Sequence, residues 1–238
     1  MSLPHSNTGV IDSLVDIPIE KDEAVEKAVM FYETSTNKRR SSNDVWHPRI
    51  LPLLSPVQID QVVQRFITEM PLGQLPSFVS SLYITRLIQK SFDSGYNNFM
   101  IHTQNVPFES LGYSLKGYVA SDRLLADPQD VPLNLTIYGD IGSNTLSKSS
   151  GVELVMYGTL GVEYLHNARS CLATIFGTPK DISTEFKYVT LRMTDETIFK
   201  RYKEETSKKY PWVVPLLELG NEFFLIDDKG KELEAFRQ

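Results

Sequence analysis

The sequence predicts a mainly β fold, a short parallel β-solenoid with flanking α-helices, and three observations predict it. Residues 135–191 divide without gaps into three rows of 19 residues beginning at Leu135, Leu154 and Ala173. Glycine recurs in one column of those rows, at Gly139, Gly158 and Gly177, directly after an aromatic column of Tyr138, Tyr157 and Phe176. Apolar residues at helical rather than strand spacing lie on both sides of the repeat. Fixed-period self-similarity is the mark of stacked units, none of which can bury its apolar face alone.

Within each row a short strand ends in an aromatic residue and then glycine, where a sharp corner leaves no room for a side chain against the next row. Ile137, Met156 and Ile175 share a column, so stacking would join them into a continuous core. Gly142 and Gly161 repeat three places after the first glycines, and Leu146 and Leu165 four places further on; the third row has Lys180 in place of its second glycine. Evenly spaced strands also occur in antiparallel meanders, so an α+β domain with an antiparallel sheet is the alternative.

Taken in chain order, residues 1–49 form a polar and partly disordered segment, in which Ala24, Ala28 and Phe31 mark one face of a short helix. Ser35 to Asp44, including Lys38-Arg39-Arg40, reads as a solvated loop. Residues 50–96 form a helical cap. Ser55 is an N-cap ahead of Pro56, Ile59, Val62, Val63, Phe66 and Ile67 follow at helical spacing, and the helix ends near Met70-Pro71. A second helix runs from Pro76 to Ser94 with Gly95 as its C-cap. The solenoid is assigned to residues 97–191, starting with a strand at Asn98–His102, then irregular chain or a less regular turn over Val106–Lys116 and a loop over Asp122–Asp130. Residues 192–238 form a C-terminal cap: Thr194-Asp195-Glu196 starts a helix that ends before Pro211, and Glu222–Ile226 is a strand closed by a turn at Asp227–Gly230. The two terminal blocks are expected to cover the open ends of the stack, since an uncovered end is an unpaired edge.

Composition narrows the function. A net charge of -6 is unsuited to a protein built to grip a phosphate backbone, so nucleic acid is not an expected partner. Cys171 is the single cysteine, which rules out an intrachain disulfide and suits a reducing cytoplasm. The sequence has neither an apolar run of membrane-spanning length nor the basic and apolar regions of a secretory signal, so no membrane association is expected.

The residues Ile137-Tyr138-Gly139-Asp140-Ile141-Gly142, and in part Met156-Tyr157-Gly158-Thr159-Leu160-Gly161, resemble a known family. It is the glycine-repeat (GXGXG) right-handed β-helix domain found at the C-terminus of the glutamate synthase large subunit and in one of the subunits of formylmethanofuran dehydrogenase. The helix from Leu87 to Gly95 running into Phe99-Met100-Ile101 is similar to the lead-in of stand-alone members. The likeness spans roughly residues 76–191. It implies a right-handed β-helix and a non-catalytic structural or subunit-interaction role, as in an oxidoreductase assembly, with a protein partner or homo-oligomer and no catalytic residue.

Residue types that carry chemistry give a separate line of argument. The four histidines are scattered without metal-ligand spacing, and no nucleophile elbow, phosphate loop or dinucleotide fingerprint is present. No cofactor or metal is expected. Asp140 sits on a glycine corner, but Thr159 and Thr178 take its place in the next rows, so the paired carboxylates of a polysaccharide-cleaving site are missing. The competing function is an enzyme or small-ligand binder using a groove between the repeat and the terminal helices. For that reading Asp140, His102, His166 and Arg169 are the ligand candidates and should converge.

Overall fold

The computed structural model describes residues 22–37, 50–69, 78–117, 131–180, 186–207 and 220–236. The first helix, α1 (Glu23–Asn37), starts at Asp22, whose Oδ1 accepts the Ala24 N–H at 2.8 Å. The next, α2 (Pro56–Glu69), opens with a capping box. Gln58 Oε1 accepts from the Ser55 N–H at 2.8 Å, and Ser55 Oγ accepts from the Gln58 N–H at 3.3 Å. Gln58 Nε2 also donates to Asp22 Oδ2 at 2.7 Å, tying the two caps together. That bond, then the Ala24 N–H, holds the Asp22 carboxyl below its ordinary pKa.

Helix α3 (Phe78–Phe92) ends where Gly95 takes φ +103°, with the Gly95 N–H on the Phe92 carbonyl and the Tyr96 N–H on that of Ser91. The left-handed glycine thereby occupies two carbonyls that the helix leaves open. The three helices meet over an aromatic group in which Tyr32 lies 4.7 Å from Phe66 and 5.3 Å from Tyr83, ring centre to ring centre. Tyr83 is fully buried and donates its hydroxyl to the Ala28 carbonyl, and burial lifts its phenol pKa well above the ordinary value.

Seven strands follow: β1 (Asn98–Phe108), β2 (Leu133–Ile141), β3 (Val152–Tyr157), β4 (Leu172–Ile175), β5 (Thr190–Met193), β6 (Glu222–Ile226) and β7 (Glu232–Phe236), with α4 (Glu196–Ser207) between β5 and β6. They form one sheet in chain order. Strands β1 to β6 are parallel neighbours, and β7 closes on β6 as an antiparallel hairpin.

This arrangement corrects the expected fold class. The mainly β, right-handed parallel β-helix assigned to residues 97–191 requires several long parallel sheets, whereas the described residues contain one mixed sheet, open at β1 and β7, together with four helices. Among the described residues, more lie in the helices than in the strands. The return segments between strands meet through single parallel bridges, Lys116↔Ser150↔Arg169↔Lys187 and Ile141↔Leu160↔Pro179. The physical reason is their backbone: Asn144, Leu146 and Lys148, and again Glu163, Leu165 and Asn167, take positive φ at every second residue, which extended pairing does not allow. The alternative, an α+β domain with an antiparallel sheet, is also corrected, because among the described strands only the last pair is antiparallel.

The core follows the register. Phe99, Leu135, Leu154, Ala173, Leu191 and Phe223 form one buried column, and Ile101, Ile137, Met156, Ile175, Met193 and Leu225 the next. Alternation along each strand places these side chains on the inner face. The glycine column explains itself by distance: a Cβ on Gly158 would stand 2.2 Å from the Gly139 carbonyl oxygen, and one on Gly177 1.8 Å from that of Gly158. Gly161 would meet the Gly142 carbonyl carbon at 2.4 Å, and Gly142 the Glu109 Cγ at 2.8 Å.

Candidate functional site

The outer face of the sheet carries a second periodic column. His102, Tyr138, Tyr157 and Phe176 stack with ring centres 5.1, 5.0 and 5.0 Å apart and planes within 12° of one another. Each ring covers the face of the next, so the column presents ring edges to solvent rather than the open faces a planar or sugar ligand would stack on. At its first ring, His102 Nδ1 lies 2.9 Å from Asp60 Oδ2, and the His102 N–H donates to Asp60 Oδ1 at 2.7 Å. One turn along α2, Gln64 donates Nε2 to the His102 carbonyl. Asp60 and Gln64 thus satisfy the donor and the acceptor that β1, as an edge strand, leaves unpaired at this residue.

Helix α3 treats the adjoining segment in the same way. Thr85 Oγ1 accepts the Gly112 N–H at 2.9 Å, while Gln89 accepts the Lys116 N–H at 2.7 Å and donates to its carbonyl at 3.0 Å. A side-chain amide here completes the pairing that another row would supply. Beside this contact an open groove of about 550 Å³ is lined by Arg86, Gln89, Asp93, Ser114, Lys116, Gly117 and Ser150.

The four ligand candidates do not converge. His102 is engaged by Asp60, and Asp140 Oδ1 accepts the Thr159 N–H of the next row at 2.8 Å, which makes it a link between rows. His166 Nε2 lies 2.8 Å from the Asn167 side-chain amide, and Arg169 is exposed on the return segment. None of the four lines the groove. Cys171 is buried, with Sγ donating to the Arg169 carbonyl at 3.3 Å. Burial pushes its thiol pKa up, which suppresses the thiolate a nucleophile needs. Among the described residues no group of three His, Cys, Asp or Glu could hold a metal ion.

No family model, curated protein or solved structure matches this chain. Among the described residues no helix is long and apolar enough to cross a membrane.

Sequence reasoning singled out Arg169 but missed Asp60, Gln64, Thr85 and Gln89, which finish the edge of the first row, and Lys116 and Lys187 of the return segments. Part of that signal is present in the sequence, because Ser150 and Arg169 are one 19-residue period apart and do pair. The capping residues have no such signal: two polar residues four apart on a helix are ordinary until the strand edge they face is known.

Proposed function

We propose that this chain is a non-catalytic interaction subunit or scaffold, working with a protein partner or as a homo-oligomer, not on nucleic acid, in a reducing cytoplasm. The observation that carries the reading is the dispersal of its reactive side chains. His102, Asp140 and His166 each hold a separate local partner, and the single thiol is buried. A catalytic site needs such groups within hydrogen-bond reach of one another and of a common substrate position. The groove beside α3 does not gather them, since it is lined by other residues.

The open sheet instead offers an outer face on which Met100, Tyr138 and Tyr157 are exposed. The resemblance of the glycine rows to the glutamate synthase C-terminal domain makes an oxidoreductase assembly the first partner class to test. Affinity capture of the tagged full chain from its native cells should recover a stoichiometric protein partner or a homo-oligomer. Recovery of the chain alone, as a monomer, would overturn the proposal.

A further inference from the structure

We infer that the groove beside α3 and the basic column running out of it form a docking track for a short, extended acidic segment of a partner protein. This rests on the interaction reading above and names the chemistry of the contact. The parallel bridges Lys116↔Ser150↔Arg169↔Lys187 set these four residues one above another on successive rows. Lys116, Arg169 and Lys187 are exposed, Ser150 is half-buried, and Arg86 adds a fourth cation to the lining of the groove.

Two observations separate this column from an ordinary solvated face. Lys27, Arg65, Arg192, Lys200 and Lys203 each hold a carboxylate, whereas among the described residues Arg86, Lys116, Arg169 and Lys187 hold none; Lys90, Lys148, Lys180, Lys229 and Lys231 hold none either, but the row bridges align Lys116, Arg169 and Lys187 in one column. The single acid lining the groove, Asp93, already accepts from Gln89 Nε2 at 2.9 Å. A run of unpaired cations on a chain of net charge -6 is thus a local field of opposite sign to the rest of the molecule.

Length selects the occupant. Three row spacings of about 4.8 Å put Lys116 and Lys187 roughly 14 Å apart. Four or five residues of extended chain, at about 3.3 Å each, cover that distance. Carboxylates projecting from such a segment meet the cations in turn, and the Ser150 hydroxyl between Lys116 and Arg169 offers a hydrogen bond to its backbone or a carboxylate. A nucleic acid strand is disfavoured because, among the described residues, the track has four cations, on a chain of net charge -6.

The test is fluorescence anisotropy of a labelled hexaglutamate peptide against the full chain, with hexaglutamine and a six-residue oligothymidylate as comparison probes. Binding of hexaglutamate but not hexaglutamine, weakening as salt rises, is the expected result. The triple variant Lys116→Gln/Arg169→Gln/Lys187→Gln should lose at least about tenfold in affinity, and Lys27→Gln on α1 should lose nothing. The single variant Arg169→Gln, read alongside, should lose a few-fold and serves if the triple variant does not fold. Failure of the parent chain to bind hexaglutamate, equal binding by parent and substituted chains, or tighter binding of oligothymidylate would each overturn the docking track. A protein partner captured from cells in the face of such a result would leave the interaction reading standing and remove only the track.

Discussion

Replacing Gly158 by alanine tests the stacking of the rows most directly, because two separable effects meet at that residue. Its φ is +148°, a region that residues with a Cβ rarely enter, and its new methyl would stand 2.2 Å from the Gly139 carbonyl oxygen. The conformational part costs about 1–3 kcal/mol, and forcing a methyl into closed packing costs a further 1–3 kcal/mol or so. A total near 4 kcal/mol corresponds to a fall in Tm of roughly 8–16 °C for a chain of this size. Two companions divide that total. Gly95→Ala meets only the backbone term, since φ is +103° and nothing lies within 4 Å of the added atom. Gly177→Ala meets only the contact term, since its φ lies outside the left-handed region while its methyl would stand 1.8 Å from the Gly158 oxygen. Thermal unfolding followed by circular dichroism should place Gly158→Ala lowest, with the other two between it and the parent. A Gly158→Ala chain melting within about 2 °C of the parent would mean that the rows do not approach this closely, and the account of the glycine column would fail.

Two further outcomes follow from the edges and the interior. Asp60→Ala leaves the His102 N–H and ring without the acceptors they now hold at 2.7 and 2.9 Å, while Asp60→Asn keeps one oxygen in place. The alanine variant should lose about 1–2 kcal/mol in urea unfolding and the asparagine variant less than half of that, and equal losses would contradict the edge-pairing role. Tyr83→Phe removes a buried hydroxyl that donates to the Ala28 carbonyl at 2.8 Å and should cost about 1 kcal/mol at neutral pH. Because burial raises the folded phenol pKa, its contribution is whole below the unfolded value of about 10 and is lost as pH rises through the folded one. Between pH 9 and 11 the parent should therefore lose stability more steeply than Tyr83→Phe, and parallel urea-midpoint curves would refute that assignment.

Legibility varies with the range of the interaction. The capping box at Ser55 and Gln58 and the glycine stop at Gly95 are readable because caps act within one turn of chain. The 19-residue columns are readable too, and Leu135, Leu154 and Ala173 are register partners as the rows align them. Strand β1 continues to Phe108, beyond the expected end at His102, through two register irregularities, and β7 carries no strand signal because Glu232–Phe236 is short, charged and largely exposed. The expectations for residues 1–21, Lys38-Arg39-Arg40, the helix end near Met70-Pro71, the helix start at Pro76, the loop over Asp122–Asp130 and the helix end before Pro211 lie outside the described residues.

At the candidate site, the residues that stand out for their chemistry do not share a partner, and of the basic column only the Ser150–Arg169 step follows the 19-residue period. Asp140 stands out as an acid on a corner; its partner is a backbone N–H one row away, which no local pattern announces. Lys116 and Lys187 join Arg169 through offsets that depart from the 19-residue period, so only the folded register lines them up.

What the sequence determined by itself was therefore periodic or local: the stacked apolar and glycine columns, the caps, and the single cysteine. What only the tertiary structure decided was the class of fold and the position of the charges. A repeat specifies which residues lie above which, because like environments recur at a fixed interval. Whether the return segments pair as strands depends on alternating left-handed residues whose backbone is set by contacts with neighbouring rows. The sheet edge is likewise finished by Asp60, Gln64, Thr85 and Gln89, polar side chains whose role exists only once the helices have docked against it.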